Sequence, residues 1–423
     1  MIRLLLTGIF LLSTALAFAQ DTTLVTTYYD SARLRVKEKY YVLASDSATA
    51  HGPYRKYYAE GPLATEVRFR QGQPVGWMEE YYPEGSVQRK TPYRGGIKEG
   101  QVVVLTRSGD TLQTATFRND TLQGPLTVYY GDGTPKNRTQ FVNGTPDGLI
   151  ESYYPSGKLS EQITYQRGQP NGPVRKFYED GTLKTELTYR QGVTEGVVTE
   201  YYPSGRVADK TNFAKGERDG PSQSFSEEGQ LLRDEQYVDG FLEGTSRYYY
   251  PDGTLKEERH HRRGQPVGEH RRFFANGQPK SVIIYTEAGR SLKKYYEDGT
   301  LREEKQFADQ KPTGTWKTYH ANGQLAEEQP YVAGQLQGTV TSYYQDGTVK
   351  KTAAYRKGKK TKAEKTYYPS GALQSETEYY FGTKQGKHVV YHEDGSVKEE
   401  GTYNGGKKSG DWKQYDAQGN EIQ

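Results

Sequence analysis

The sequence predicts an all-β protein: an elongated, solenoid-like antiparallel meander of about sixteen consecutive 24-residue β-hairpin repeats in a single twisted sheet. Three observations predict it. The glycine of a Tyr-Tyr-x-x-Gly turn falls at 61, 85, 109, 133, 157, 181, 205, 229, 253, 277, 299, 323, 347, 371, 395 and 419, and every step is 24 residues except one of 22. A second glycine recurs eleven positions after the first and a third at fifteen, and these three places hold 41 of the 48 glycines. An aromatic stands four residues before the first glycine in fifteen of sixteen units, and another eight residues after it in fourteen of fifteen.

The chain opens MIRLLLTGIFLLSTALAFAQ, with Arg3, an apolar run from Leu4 to Leu16 and then Ala17-Phe18-Ala19. This is the pattern of a secretory signal peptide over 1–19, and its apolar run is shorter than the roughly 20 residues a spanning helix needs. Residues 20–51 hold a degenerate unit in which Tyr28-Tyr29-Asp30-Ser31-Ala32 places Ala32 where glycine is expected, followed by a five-residue insertion. A cap over the first sheet edge is the structural reading of that segment.

The regular array runs over 52–419, ahead of a short tail at 420–423. In each unit one strand starts two residues after the turn glycine, as in Leu183 to Tyr189, where Leu183, Thr185, Leu187 and Tyr189 share a face under a period of two. The second strand runs from the third glycine to the aromatic pair, as in GVVTEYY at 196–202. Turn glycines such as Gly157, Gly168, Gly172, Gly181, Gly192 and Gly196 are expected at the positive φ of a type I turn plus bulge. Their spacing leaves no room for an ordinary helix. Equivalent aromatics are expected to stack as ladders along the sheet: Tyr153, Phe177, Tyr201, Tyr249 and Phe273 in one, Tyr165, Tyr189 and Phe213 in another. Such ladders are candidate partner-binding surfaces.

Two later stretches depart from register. The 22-residue unit at 277–299 lacks the third glycine and is expected to kink or tighten the sheet; beside it lies HHRRGQPVGEHRR, with Arg262, Arg263, Arg271 and Arg272. In YRKGKKTKAEK at 355–365, Lys362 replaces the third glycine, and Lys357, Lys359, Lys360 and Lys362 form a basic cluster. That cluster reads either as an anion-binding patch, for an anionic lipid, an anionic polymer or nucleic acid, or as a solvated hairpin tip.

Composition and motif content narrow the function. Hydrophobic residues are only 33% of the chain, yet 38 tyrosines at regular places can stabilise a thin, half-wet sheet. The chain has no cysteine, so disulfides, thiolate metal sites and a lipidated cysteine are excluded. A formal charge of +4 makes no case for nucleic acid at the level of the whole protein. His260 and His261 face opposite sides of a strand, and His388 and His392 lie about 13 Å apart along one, so neither pair suits a metal. No phosphate loop or nucleophile elbow occurs. The expectation is a non-enzymatic protein with no cofactor and no catalytic or metal-ligating residue.

Residues 165–183, YQRGQPNGPVRKFYEDGTL, resemble the MORN repeat in its bacterial variant, found in proteins of the toxin-antitoxin system YwqK family; Phe177 stands for the first Tyr of the pair. The resemblance spans about 52–419. It implies a sheet of consecutive β-hairpins, no catalysis by the repeats, and binding of a protein partner or sometimes phospholipid. The antitoxin name implies neutralising a toxin by binding it. Together with the leader, these readings make the chain an exported, periplasmic or envelope-associated scaffold that binds a protein. A toxin-neutralising partner and an envelope lipid- or glycan-binding protein are the alternatives.

Overall fold

A computed structural model of the chain describes residues 21–422; the expected signal peptide, 1–19, lies outside them. The chain divides into two compact units, Met1–Val193 and Thr194–Gln423. The described residues of both form strands and turns, with no helix, and every paired strand runs antiparallel to its neighbours in sequence. Each unit is thus a meander of β-hairpins.

Two kinds of turn alternate along it. After the aromatic pair, Tyr154 N–H donates to the Lys158 carbonyl at 2.8 Å and Gly157 N–H to the Tyr154 carbonyl at 2.9 Å, with Gly157 at φ 80°. This is the expected type I turn closed by a left-handed glycine. The opposite turn differs from expectation. Gln166 pairs directly with Gln169, leaving a two-residue loop in which both Arg167 (φ 50°) and Gly168 (φ 81°) are left-handed. Two positive φ values define a type I′ turn, whose twist matches that of the flanking strands. Side chains accept the strain at its first position, where Gln71, Asn143, Gln191, Lys215 and Phe381 also stand.

Next to each type I turn the ladder slips by one residue. Phe177 pairs with Leu183 while Lys176 pairs with Thr185, so Lys184 is left over as a bulge. The bulge resets the alternation, and Leu183 no longer shares the face of Thr185, Leu187 and Tyr189 as the unbroken period implied.

A regular hairpin also bulges on its type I′ side, where Ile163 pairs with Val174 and Tyr165 with Pro170, so that residues 171–173 face Thr164 alone; the shortened unit lacks this two-residue excess. Strands Pro279–Thr286 and Gly289–Tyr295 pair in unbroken register from Ser281↔Lys294 to Thr286↔Gly289. The two missing residues are therefore the bulge. Its excision regularises the hairpin, where the sequence led us to expect a kink.

Residues 21–51 continue the meander. Thr22–Tyr28 pairs with Val36–Leu43, which pairs with Asp46–Tyr57. The left-handed residue of the first turn is Arg33 (φ 57°), not Ala32, and the Asp30 carboxylate holds the turn by accepting from the Leu34 and Arg35 amides at 3.0 and 2.8 Å.

A single layer has two wet faces, so full burial is concentrated toward the middle of the strands. Val67, Val102, Ala115 and Val174 are buried there in the first unit, and Ser222, Glu235, Ser246, Ala353 and Val389 in the second. Neighbouring repeats are also fastened at the strand ends. Tyr130 donates its hydroxyl to the Tyr153 carbonyl at 2.8 Å and Tyr154 to the Phe177 carbonyl at 2.7 Å, and Tyr250, Tyr296 and Tyr344 repeat the contact in the second unit.

Candidate binding surface

Ladder register decides which side chains share a face. Around Gly181, Lys176 pairs with Thr185, Val174 with Leu187 and Gly172 with Tyr189, and these form what we term the front face. Arg175 and Glu186 pair on the back, joined at 2.9 Å. The same back position carries Arg55–Glu66, Lys90–Glu79, Arg247–Glu258, Lys293–Glu304 and Lys317–Glu328, at 2.8 to 3.4 Å. All are solvent-exposed pairs, which contribute roughly 0–1 kcal/mol each.

The two expected aromatic ladders lie on opposite faces. The aromatic four residues before the turn glycine sits among the back-face acids: Tyr81 donates to Glu79 at 2.7 Å, Tyr153 to Glu151 at 2.8 Å and Tyr319 to Glu304 at 2.8 Å. Tyr153, Phe177, Tyr201, Tyr249 and Phe273 hold this position on the back. Tyr165, Tyr189 and Phe213 lie on the front, opposite Gly148, Gly172 and Gly196. Equivalent aromatics are two strands, about 10 Å, apart, so they are too distant to stack directly as expected. Ring contacts instead join adjacent strands: His261–His270–Tyr285 at 5.5 and 4.8 Å, and Phe307–Trp316–Tyr331 at 5.1 and 4.7 Å. The turn glycines Gly157, Gly168, Gly172, Gly181, Gly192 and Gly196 have φ between 80° and 125°.

The basic residues are split in the same way. Arg271 lies on the back with Glu269 at 2.5 Å, whereas its neighbour Arg272 lies on the front with Glu257 at 2.7 Å. Arg262 pairs across its hairpin with Gln265, and Arg263 occupies the left-handed loop position. In the lysine cluster, Lys360 is bound to Glu364, which also holds Lys351 at 2.8 Å. Lys357 and Lys362 have positive φ, and Lys359 pairs with Arg356; no ion pair reaches Lys357, Lys359 or Lys362 among the described residues.

One band of the front face stands apart. Its central column, built of Val67, Thr91, Val102, Ala115 and Val174 in the first unit, becomes Ser222, Glu235, Ser246, Arg259 and His270 within the second. A connected polar network results. Arg233 reaches Asp209 at 2.7 Å and Glu235 at 3.6 Å; Glu235 accepts from Tyr237 at 3.0 Å and from Tyr248. Arg259 lies over the Tyr248 ring at 5.1 Å and grips Glu257 at 2.8 and 2.9 Å, and Glu257 in turn holds Arg272. Burial pushes the Tyr248 phenol up, and its bond to Glu235 adds to this. Burial also raises Glu257, but the Arg259 and Arg272 guanidinium groups outweigh it and hold the carboxyl below its usual range. Burial lowers both His261 and His270, and the Arg259 guanidinium lowers each further; for His270 this outweighs the bond to the His260 carbonyl, which raises it, so the neutral rings are favoured at pH 7.

His261, His270, Arg259, Glu257, Pro266 and Tyr285 line a shallow depression at the end of the band. Within the band, Ser246 Oγ and His261 Nδ1 are buried without a hydrogen-bond partner from the protein, which marks places where water or a ligand group completes the bonding. Among the described residues no group of three or more His, Cys, Asp and Glu is placed to hold a metal ion. Sequence reasoning singled out the basic stretch at one end of this band but missed Glu235, Tyr248, Glu257 and Arg259. The legible signal was a charge six residues after the turn glycine in two successive units, Glu235 and Arg259, where every earlier unit puts Val, Thr, Ala, Ile or Leu.

Eight stretches match the family model described as the MORN repeat variant: residues 146–167, 170–191, 242–262, 291–309, 312–333, 336–357, 360–379 and 384–404. These stretches of the chain are similar to the MORN repeat variant, and together they make up about two fifths of it. The matched stretches run from one strand of a hairpin across the type I turn into the next, and the unmatched hairpins from Val207 to Val238 keep the same register. No curated protein matches the chain. Among solved structures, that of TcdB2-TccC3-TEV is 12% identical at a TM-score of 0.16, covering 95% of this chain and 26% of that one. The Photorhabdus luminescens Tc holotoxin pore is 12% identical at 0.14, covering 90% and 25%. This chain thus spans about a quarter of the length of those chains, and at such scores the likeness supports no argument.

Proposed function

We propose that this MORN-repeat chain is an exported, non-enzymatic scaffold that binds a protein partner through the front face of its second unit. The observation that supports the reading is the polar band from Asp209 to Tyr285. It replaces the largely aliphatic column of the first unit with a pre-ordered set of Arg, Glu, His and Tyr side chains. Interfaces draw their strength from Tyr and Arg anchors whose geometry is set before binding. Here each anchor is held by another: Arg259 by Glu257 and Tyr248, Arg272 by Glu257, Tyr237 by Glu235. The repeats themselves supply a rigid, periodic support.

The test is affinity capture with the full chain as bait against the envelope and secreted fractions of the producing cell, read by mass spectrometry. A stoichiometric envelope or secreted protein supports the scaffold. One toxin-like protein recovered in the same way would make the role neutralisation by binding, as in the YwqK family. Capture of lipid or glycan without protein would contradict the reading.

A further inference from the structure

The two terminal strands of the chain treat their outer edges differently. Lys407–Gln414 carries Lys407, Lys408 and Lys413 along a strand interrupted by Gly410. Its tail folds back, with an Ile422 N–H to Gln414 carbonyl bond at 2.8 Å and a bridge between Tyr415 and Glu421. Charge and cover of this kind keep other chains from pairing with an edge.

Thr22–Tyr28 has none of these devices. Its sequence, TTLVTTY, has no charge, no proline and no glycine, and is rich in β-branched residues. Among the described residues it pairs on one side only, with Val36–Leu43 in the register Leu24↔Tyr41, Val25↔Tyr40, Thr26↔Lys39. The Ala44 N–H donates to the Asp21 carbonyl at 2.9 Å. Alternation in an antiparallel ladder then turns the peptide groups of Thr23 and Val25 inward, and those of Thr22, Leu24 and Thr26 away from the sheet. Leu24 is also 51% exposed.

We infer that this edge is a self-association site, at which Thr22–Tyr28 pairs antiparallel with the same strand of a second copy about a two-fold axis through Val25. The outward groups fix the parity of the register, and of the registers they allow the axis through Val25 is the one that overlaps the whole strand, Thr22 to Tyr28. With Val25 facing Val25, Leu24 lies opposite Thr26 of the other copy, and both residues present N–H and C=O outward, which makes a doubly hydrogen-bonded pair. Thr23 then faces Thr27, and Thr22 faces Tyr28. Every pair is neutral and none places like charges together, so the strand is complementary to itself. A one-residue slip would break the match of outward-facing peptide groups.

The absence of cysteine makes the test direct. In this register the two Val25 residues form a non-hydrogen-bonded pair with Cα atoms about 4.5 Å apart, within disulfide range. The full chain carrying Val25→Cys should form a covalent dimer under mild oxidation, while Thr23→Cys, displaced from the axis, should not. Sedimentation of the unmodified chain should show a dimer at micromolar concentration. Val25→Lys, which sets two ammonium groups against each other, should raise its dissociation constant by at least about tenfold. A monomer at those concentrations would overturn the inference. So would a dimer that Val25→Cys does not cross-link and Val25→Lys does not weaken, or a monomer that takes up a β-strand of another protein at this edge.

Discussion

Gly289 and Gly181 show how differently the same residue type is used along the chain. A Cβ on Gly289 would lie 2.0 Å from the Phe307 carbonyl oxygen, with φ at 139°. At Gly181 a Cβ meets nothing within 4 Å, and only the positive φ of 97° resists it. Gly181→Ala should therefore cost about 1 kcal/mol, the usual charge for a left-handed alanine. Gly289→Ala should cost roughly 3 kcal/mol or more, because backbone must move. Urea unfolding of the two variants measures the difference. The turn glycines were readable from their period alone. Gly289 was not, since it lies outside the three repeating places and its need arises from a carbonyl brought close by the next strand. The second tyrosine of each pair was likewise visible as a residue, but its role was not. Tyr154 acts through a hydrogen bond to a carbonyl 23 residues on, which only pairing of the strands brings within reach.

At the level of the hairpin, a period of two was enough to place strands, and too simple to place faces. The bulge residue beside each type I turn puts the Tyr153 and Tyr165 positions on opposite sides, so a surface drawn from both sets cannot exist. The polar band was half legible. Its basic rim stood out as a run, whereas Glu235 and Arg259 are single residues whose meaning depends on the column they share. The hairpins of this band also carry a pH dependence. Burial keeps His261 and His270 below their ordinary value, so the unfolded chain takes up protons first as pH falls. The stability they contribute is complete above about pH 6.5 and is lost as pH falls from there toward their folded values. Hydrogen exchange of the Gly268–Phe273 amides should accelerate between pH 7 and 5 beyond the intrinsic rate. His270→Gln should flatten that slope.

For the molecule as a whole, the repeat itself makes a prediction. Each hairpin bonds mainly to its neighbours, so stability is close to a sum of local terms. Removing residues 158–181, one period, joins Gly157 to Thr182 and restores an identical succession of turn and strand. The shortened chain should melt cooperatively within a few degrees of the parent. Removing only 158–169 sets a type I turn directly before the second strand of the hairpin and should abolish the transition or lower it sharply. The same periodicity explains why sequence reached the fold more readily than the site: hairpins repeat, and the band from Asp209 to Tyr285 occurs once.

The central claim is that this band, on the front face alone, is the partner surface. Arg271 and Arg272 test it most directly, because they are adjacent in one strand, each exposed and each paired to a glutamate, yet point to opposite faces. The measurement is quantitative capture of the partner by full-length Arg272→Glu and Arg271→Glu, compared with the unmodified chain at equal thermal stability. The account predicts that Arg272→Glu loses at least about 90% of the captured partner, equivalent to 1.4 kcal/mol or more, while Arg271→Glu retains it. Equal retention by both, or loss with Arg271→Glu alone, would contradict it.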